Sequence, residues 1–263
     1  INGTATITND SFSGNSAMYG GAIFNAGTTT ITNVTFTGNK AKGYGGAIDN
    51  DVSATLFVKD ASFTGNRATF GGAIDNSGSM TITNTSLSGN TAGLGGAIYN
   101  ASGATATITN ATFEKNSAVN DNSGGNGGAI YNAGGNVEIT NSTFTGNSAN
   151  GTGSKGGAIY NAINGTATIT NDSFSGNKAM YGGAIYNAIN GTATITDASF
   201  KNNSASGSGG AIYNQGTATI TNGSFTGNSA TNGGAIYNAL GATIDIFANA
   251  ANVEFTGNTA ARV

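Results

Sequence analysis

Side chains able to do chemistry are scarce in this sequence, and those that stand in a pattern are carboxyls, phenols and hydroxyls. Asp49 and Asp75 occupy the same place in two successive copies of an internal repeat, with Asp51 close by. Carboxylates stacked ~5 Å apart at the backbone could raise the pKa of one member or hold a Ca²⁺, and the bland alternative is a solvated edge. Glycoside hydrolysis needs two acids facing each other across a fixed gap, and the remaining acids here are isolated. Later copies put Tyr99, Tyr131, Tyr160, Tyr186, Tyr213 and Tyr237 at that same position. Such a ladder could bind carbohydrate rings or a protein, or it could stack on itself and shield a sheet. Outward Thr-x-Thr pairs recur in seven copies: Thr6 with Thr8, Thr30 with Thr32, Thr81 with Thr83, Thr107 with Thr109, Thr168 with Thr170, Thr194 with Thr196, and Thr219 with Thr221. They form a candidate water-ordering face, although β-branched Thr suits exposed strand positions anyway. Phe57 with Lys59 in one copy, and Glu138 in another, interrupt it.

What is absent narrows the chemistry further. The 263 residues include no His and no Cys, which excludes a Ser-His-Asp triad, a thiol nucleophile, disulfides and a zinc site of the usual ligands. No catalytic residue, metal or cofactor is therefore expected. Nine Lys plus Arg against twelve Asp plus Glu leave no basic surface for nucleic acid. No apolar run approaches the ~18 residues of a membrane-spanning helix, and no signal-peptide pattern is present. Gly (44) and Asn (38) together dominate the composition, which fits either a disordered chain or a repeat protein.

Periodicity decides between them. Gly-Gly-Ala-Ile begins at Gly20, Gly45, Gly71, Gly95, Gly127, Gly156, Gly182, Gly209 and Gly233. Phe-x-x-Asn begins at Phe12, Phe36, Phe63, Phe113, Phe144, Phe174, Phe200, Phe225 and Phe255, with Leu87 in place of Phe in one copy. A Thr-rich segment precedes each aromatic. In nine copies its central aliphatic lies five residues upstream, from Ile7 to Ile220. Apolar residues alternate with Thr there, the period of a strand with one buried face. Three short strands per unit cannot close a core alone, but stacked units can. The expected fold is all-β: a right-handed parallel β-helix of about ten coils with three strands each, making a rod of roughly 45 Å.

In this reading the Thr-strand aliphatics, the Phe column and the motif Ile point inward. The residue after the motif Ile points to solvent, because Asp is tolerated there. Asn turns three corners per coil by adopting left-handed backbone, and stacked Asn can also pair amide to amide. The Gly-Gly pair allows a tight bend or close approach to a neighbouring coil. Insertions Ser117–Asn126 and Ser148–Lys155 are expected side by side on one edge, where solenoids often bind partners. Residues 1–25 and 163–187 differ only at Ser16 against Lys178 and Phe24 against Tyr186, which points to growth by duplication. Residues 1–263 thus read as one β-helix segment of a longer repeat array, with an atypical last coil over 239–263. Uncapped ends would permit self-association.

Gly-Gly-Ala-Ile alternating with Phe-x-x-Asn resembles the repeat of the chlamydial polymorphic outer membrane proteins and related autotransporter passengers, from Ile7 to Asn258. The resemblance implies a secreted β-helix displayed at a bacterial surface, and a role in adhesion carried by the two motifs. Partners are then a host-cell surface, matrix protein or glycan. An alternative follows from the Thr-x-Thr array, which resembles the ice-binding faces of some β-solenoid antifreeze proteins. A further alternative is a polysaccharide-active enzyme, since many β-helices have that activity; it rests on fold analogy alone.

Overall fold

A computed structural model describes residues 3–119, 124–249 and 251–261. Among these every element is a short strand, and every pairing between neighbouring strands is parallel. The Thr-rich segments form a ten-stranded sheet from Thr4–Thr8 to Thr243–Phe247, and the Phe segments a second from Ser11–Ser13 to Glu254–Thr256. The segments after Gly-Gly-Ala form a nine-stranded sheet from Ile23–Asn25 to Ile236–Asn238. Each strand pairs with its counterpart one coil away, which is a parallel β-solenoid of about ten coils. None of the described residues forms a helix able to cross a membrane.

The structure adds a fourth ladder to the three expected. It follows each Phe-x-x-Asn corner and holds seven strands from Thr91–Ala92 to Thr259–Ala260, with a further pair, Ser16–Ala17 and Lys40–Ala41. Arg67 bridges the two groups. These strands are only two to five residues long and bury little beyond one Ala each, such as Ala118 and Ala205, so no hydrophobic alternation marks them.

The core is the set of inward columns that parity indicates. Ile31 through Ile220, Phe36 through Phe225 and Ile48 through Ile212 lie in one continuous cluster. The Phe rings stack face to face at 4.6–5.1 Å, except where Leu87 stands between Phe63 and Phe113. In the last coil Ile246, not residue 250, pairs with Ile220, and Ile244–Phe247 belongs to the regular Thr-sheet strand of that coil. Ala250, which stands five residues before Phe255, lies outside the described residues.

The Asn columns divide by role, which corrects the reading of all three as left-handed corners. Only the corner after the Thr strand has positive φ, at Asn9, Asn33, Asn84, Asn110, Asn141, Asn171 and Asn222, with Asp60 and Asp197. The other two columns are buried except in the end coils, and they act through their amides. Asn161 Nδ2 donates to Asn187 Oδ1 at 2.8 Å, and Asn177 donates both its backbone N–H and Nδ2 to Asn203 Oδ1. Beside these columns a neighbouring residue takes the left-handed backbone, such as Gly146 at φ +63° or Asn164 at φ 61°, and the Gly-Gly pair makes a separate bend. Gly156 has φ +65°, and a Cβ on Gly157 would lie 2.1 Å from the carbonyl oxygen of Gly183 in the next coil. Both expected uses of the Gly-Gly pair are therefore present, one per residue.

Candidate functional site

The outer side of the Gly-Gly sheet gathers the aromatic and acidic residues. Its strands put the residue after the motif Ile on one straight column: Phe24, Asp49, Asp75, Tyr99, Tyr131, Tyr160, Tyr186, Tyr213 and Tyr237. From Tyr99 to Tyr237 the rings follow one another at 4.8–5.3 Å, with interplanar angles of 4–31°. The column faces outward, but exposure differs from the expectation. Tyr160 and Tyr186 are buried and Tyr99, Tyr131, Tyr213 and Tyr237 half-buried. Each ring covers its neighbour, and burial raises the phenol pKa of Tyr99 and Tyr160 to about 12. Lys155 Nζ sits 5.3 Å above the Tyr186 ring, and Tyr186 Oη donates to Gln215 Oε1.

A second aromatic column, with no counterpart in the sequence reading, borders the first. It is the residue before each Gly-Gly: Tyr19, Tyr44, Phe70 and Leu94, then Asn126, Lys155, Tyr181, Ser208 and Asn232. Tyr19, Tyr44 and Phe70 stack at 5.8 and 5.0 Å, and Phe70 meets Tyr99 edge-on. Its signal is a fixed offset from Gly-Gly. Changing chemistry, aromatic in the first coils and mixed later, conceals it.

Asp49 and Asp75 are not the solvated edge that tolerance of Asp suggests. They pair in register in adjacent coils, and their accessibilities are only 6% and 1%. The carboxyls lie below the aromatic rim, where the later coils carry a ring. Tyr19, Phe24, Tyr44, Asp49, Asp51, Asp75 and Ser77 line a pocket of about 300 Å³ there. Burial first, and the neighbouring carboxylates second, push Asp75 up to about 8 and Asp49 to about 6. Ser77 Oγ donates to Asp75 Oδ2 at 3.2 Å, whereas Asp75 Oδ1 is buried without a partner. Both acids rise from the same sheet face, so they do not flank a bond from opposite sides as glycoside hydrolysis requires. Among the described residues no group of three acidic side chains is placed to hold a metal ion.

The Thr-x-Thr pairs lie in register on the outer side of the Thr sheet, and none is buried. Their exposure is uneven along the face. Thr6, Thr8, Thr107 and Thr194 are exposed. At the first position of the pair, Thr30, Thr81, Thr168 and Thr219 are half-buried. At the second position Thr32, Thr83, Thr109, Thr170, Thr196 and Thr221 are all half-buried, and only Thr8 of the first coil is open. The second Thr ends its strand and runs straight into the left-handed corner, so the corner residue and the neighbouring coils crowd it. Phe57, Lys59 and Glu138 fall within the same columns, and Asp245 and Phe247 extend the interruptions to the last coil. In the second insertion, Ser148–Asn150 pairs with Ser117–Val119 and Lys155 bridges Asn126, so the described parts of both insertions are adjacent. Residues 120–123 of the first lie outside the described residues.

A family model described as Chlamydia polymorphic membrane protein repeat matches residues 11–26, 33–51, 84–101, 110–133, 141–162, 173–188, 197–215 and 222–239, more than half of the chain. The matched segments run from the Phe or its corner through Gly-Gly-Ala-Ile to the following Asn, the arc that carries the tyrosine column. No curated protein and no solved structure gives a match.

Proposed function

We propose a function from one premise: the chain belongs to the Chlamydia polymorphic membrane protein repeat family. That family is one of surface-exposed, autotransporter-like passengers. The chain is then a bacterial surface adhesin segment that binds without catalysis. Its partner is a protein or glycan of a host-cell surface or matrix, and the outer face of the Gly-Gly sheet is the contact surface.

One observation carries this reading. Six tyrosines form an unbroken stack on the outside of a solenoid, beside a second column that supplies Lys155 and Tyr181. Rings held in place by their neighbours lose little side-chain entropy on binding, and Tyr offers both an apolar face and a hydroxyl. The half-buried rings of Tyr131 and Tyr213 keep part of that surface open. The purified chain should bind cultured epithelial cells or immobilised matrix protein saturably. Tyr131→Ser with Tyr213→Ser should cut binding at least tenfold while the β-sheet circular dichroism persists. Unchanged binding by the folded double variant would remove the tyrosine column from the contact surface.

A further inference from the structure

We propose that the pocket over Asp49 and Asp75 is a binding slot for a guanidinium group, the side chain of an arginine presented by a partner protein. That the arginine belongs to a partner protein rests on the adhesive reading, whereas the chemistry of the slot does not.

The slot arises from the repeat itself. In the outward column, Phe24 and Tyr99 carry rings while the two positions between them carry Asp. Two rings are thus missing from an otherwise continuous aromatic stack, and the aromatic side wall, Tyr19 and Tyr44, is still present. The space left is a cavity of about 300 Å³, at the small end of ligand pockets. Its floor is acidic, with Asp49, Asp75 and the nearby Asp51. Asp75 Oδ1 is fully buried and has no donor within the protein, while the other oxygen of the same carboxyl accepts from Ser77. A buried acceptor without a donor is costly, so a ligand donor at this position gains more than an average hydrogen bond.

Guanidinium answers each of these features. It is flat, stacks on aromatic faces and presents a fork of N–H donors to carboxylates. A Ca²⁺ needs six or more oxygen ligands, and the wall of this pocket is aromatic carbon. The titratable groups facing the carboxyls are Asp49, Asp51, Asp75, Tyr19, Tyr44 and Tyr99, all acids and none a cation. Burial and mutual repulsion make the free pair retain protons near neutrality. A cationic guest displaces them, so binding must strengthen as pH rises from about 5.5 to about 8.5 and then level off.

Isothermal titration of the folded chain with N-acetyl-arginine amide tests the proposal, with N-acetyl-lysine amide, cellobiose and CaCl₂ as separate arms. The arginine probe should bind several-fold more tightly than the lysine probe, and more tightly at pH 8.5 than at pH 5.5. Asp75→Asn should weaken it about tenfold or more, the cost of losing one charge-assisted contact. Carboxyl ¹³C NMR gives a second readout on the wild-type chain: saturating arginine probe should lower the titration midpoint of Asp75. No binding of the arginine probe, equal binding of the lysine probe, tighter binding of cellobiose or Ca²⁺, or an unmoved Asp75 midpoint would each overturn the slot. Failure of the slot leaves cell binding by the tyrosine column intact. Absence of cell binding with retained arginine binding would instead reject the adhesive reading.

Discussion

At the residue scale, identical residue types do different work according to their place in the coil. Asn33 is needed for its backbone and Asn187 for its amide, because the first has φ 54° on the surface while the second is buried between two other amides. Composition cannot separate them, since both read as corner Asn. The acids mislead for a related reason. A carboxylate ordinarily seeks water, so Asp49 and Asp75 imply an open position, and nothing local announces the aromatic rim that shields them. Asp172 is a third buried acid, pushed up to about 7 by burial despite accepting from the backbone N–H groups of Ser142 and Thr170. All three native pKa values lie above the ordinary 3.8, so the folded chain binds more protons than the unfolded one between about pH 4 and pH 8. Their contribution is neutral at low pH, where both states are protonated, and destabilising as pH rises through that window. Thermal melts should therefore show a lower Tm at pH 8 than at pH 5, and Asp75→Asn should shrink the difference. An equal difference in the variant would contradict a buried, proton-retaining Asp75. The two kinds of Gly are also separable. Gly38→Ala, at φ +62° with open space around the new methyl, should cost about 1 kcal/mol. Gly128→Ala would put Cβ 2.0 Å from the carbonyl oxygen of Gly157, and should prevent a soluble folded product.

At the element scale, the columns are the units of stability. Each Phe contributes burial of ~2–3 kcal/mol and a stacking term of ~0.5–1.5 kcal/mol with its neighbours. Leu87 is fully buried between Phe63 and Phe113, a place that Phe fills in every other coil. Leu87→Phe should complete the stack and raise Tm by a few degrees in a denaturation series; a lower Tm would show that this coil has closed around Leu. The buried Asn columns should be the least tolerant elements. Asn161 Nδ2 donates to Asn187 Oδ1 and to the Gly165 carbonyl, and its Oδ1 accepts from Asn132. Asn161→Leu leaves buried partners unmet on both sides, for a loss of roughly 2–4 kcal/mol by urea denaturation. The Thr, Phe and Gly-Gly strands were legible because the five-residue offset between aliphatic and aromatic and the repeated Gly-Gly fixed their register. The fourth ladder was not, because two-residue strands that bury one Ala leave no period to detect.

At the scale of the whole molecule, the solenoid sorts side-chain chemistry by face. The Thr sheet presents hydroxyls and methyls, yet Phe57, Lys59, Glu138 and Asp245 stand in its outer columns and break any ice-like lattice. The second Thr of six of the seven pairs is also half-buried, as at Thr109 and Thr196 beside the open Thr107 and Thr194. No thermal hysteresis is expected from the purified chain, and ice shaping at micromolar concentration would revive that alternative. The Gly-Gly sheet instead carries the aromatic stack and the acidic pocket, both of which were partly visible as the variable residue after the motif Ile. Their shared wall was not visible, because it is assembled from residues about 25 positions apart whose chemistry changes along the rod. The central claim is that binding belongs to this face. Cell-binding isotherms of the purified chain with Lys placed on one face or the other test it most directly. Tyr131→Lys with Tyr213→Lys should abolish saturable binding, whereas Thr168→Lys with Thr194→Lys on the Thr sheet should leave it within about twofold. Loss through the Thr-sheet pair, or retention by the folded Gly-Gly-sheet pair, would contradict the account.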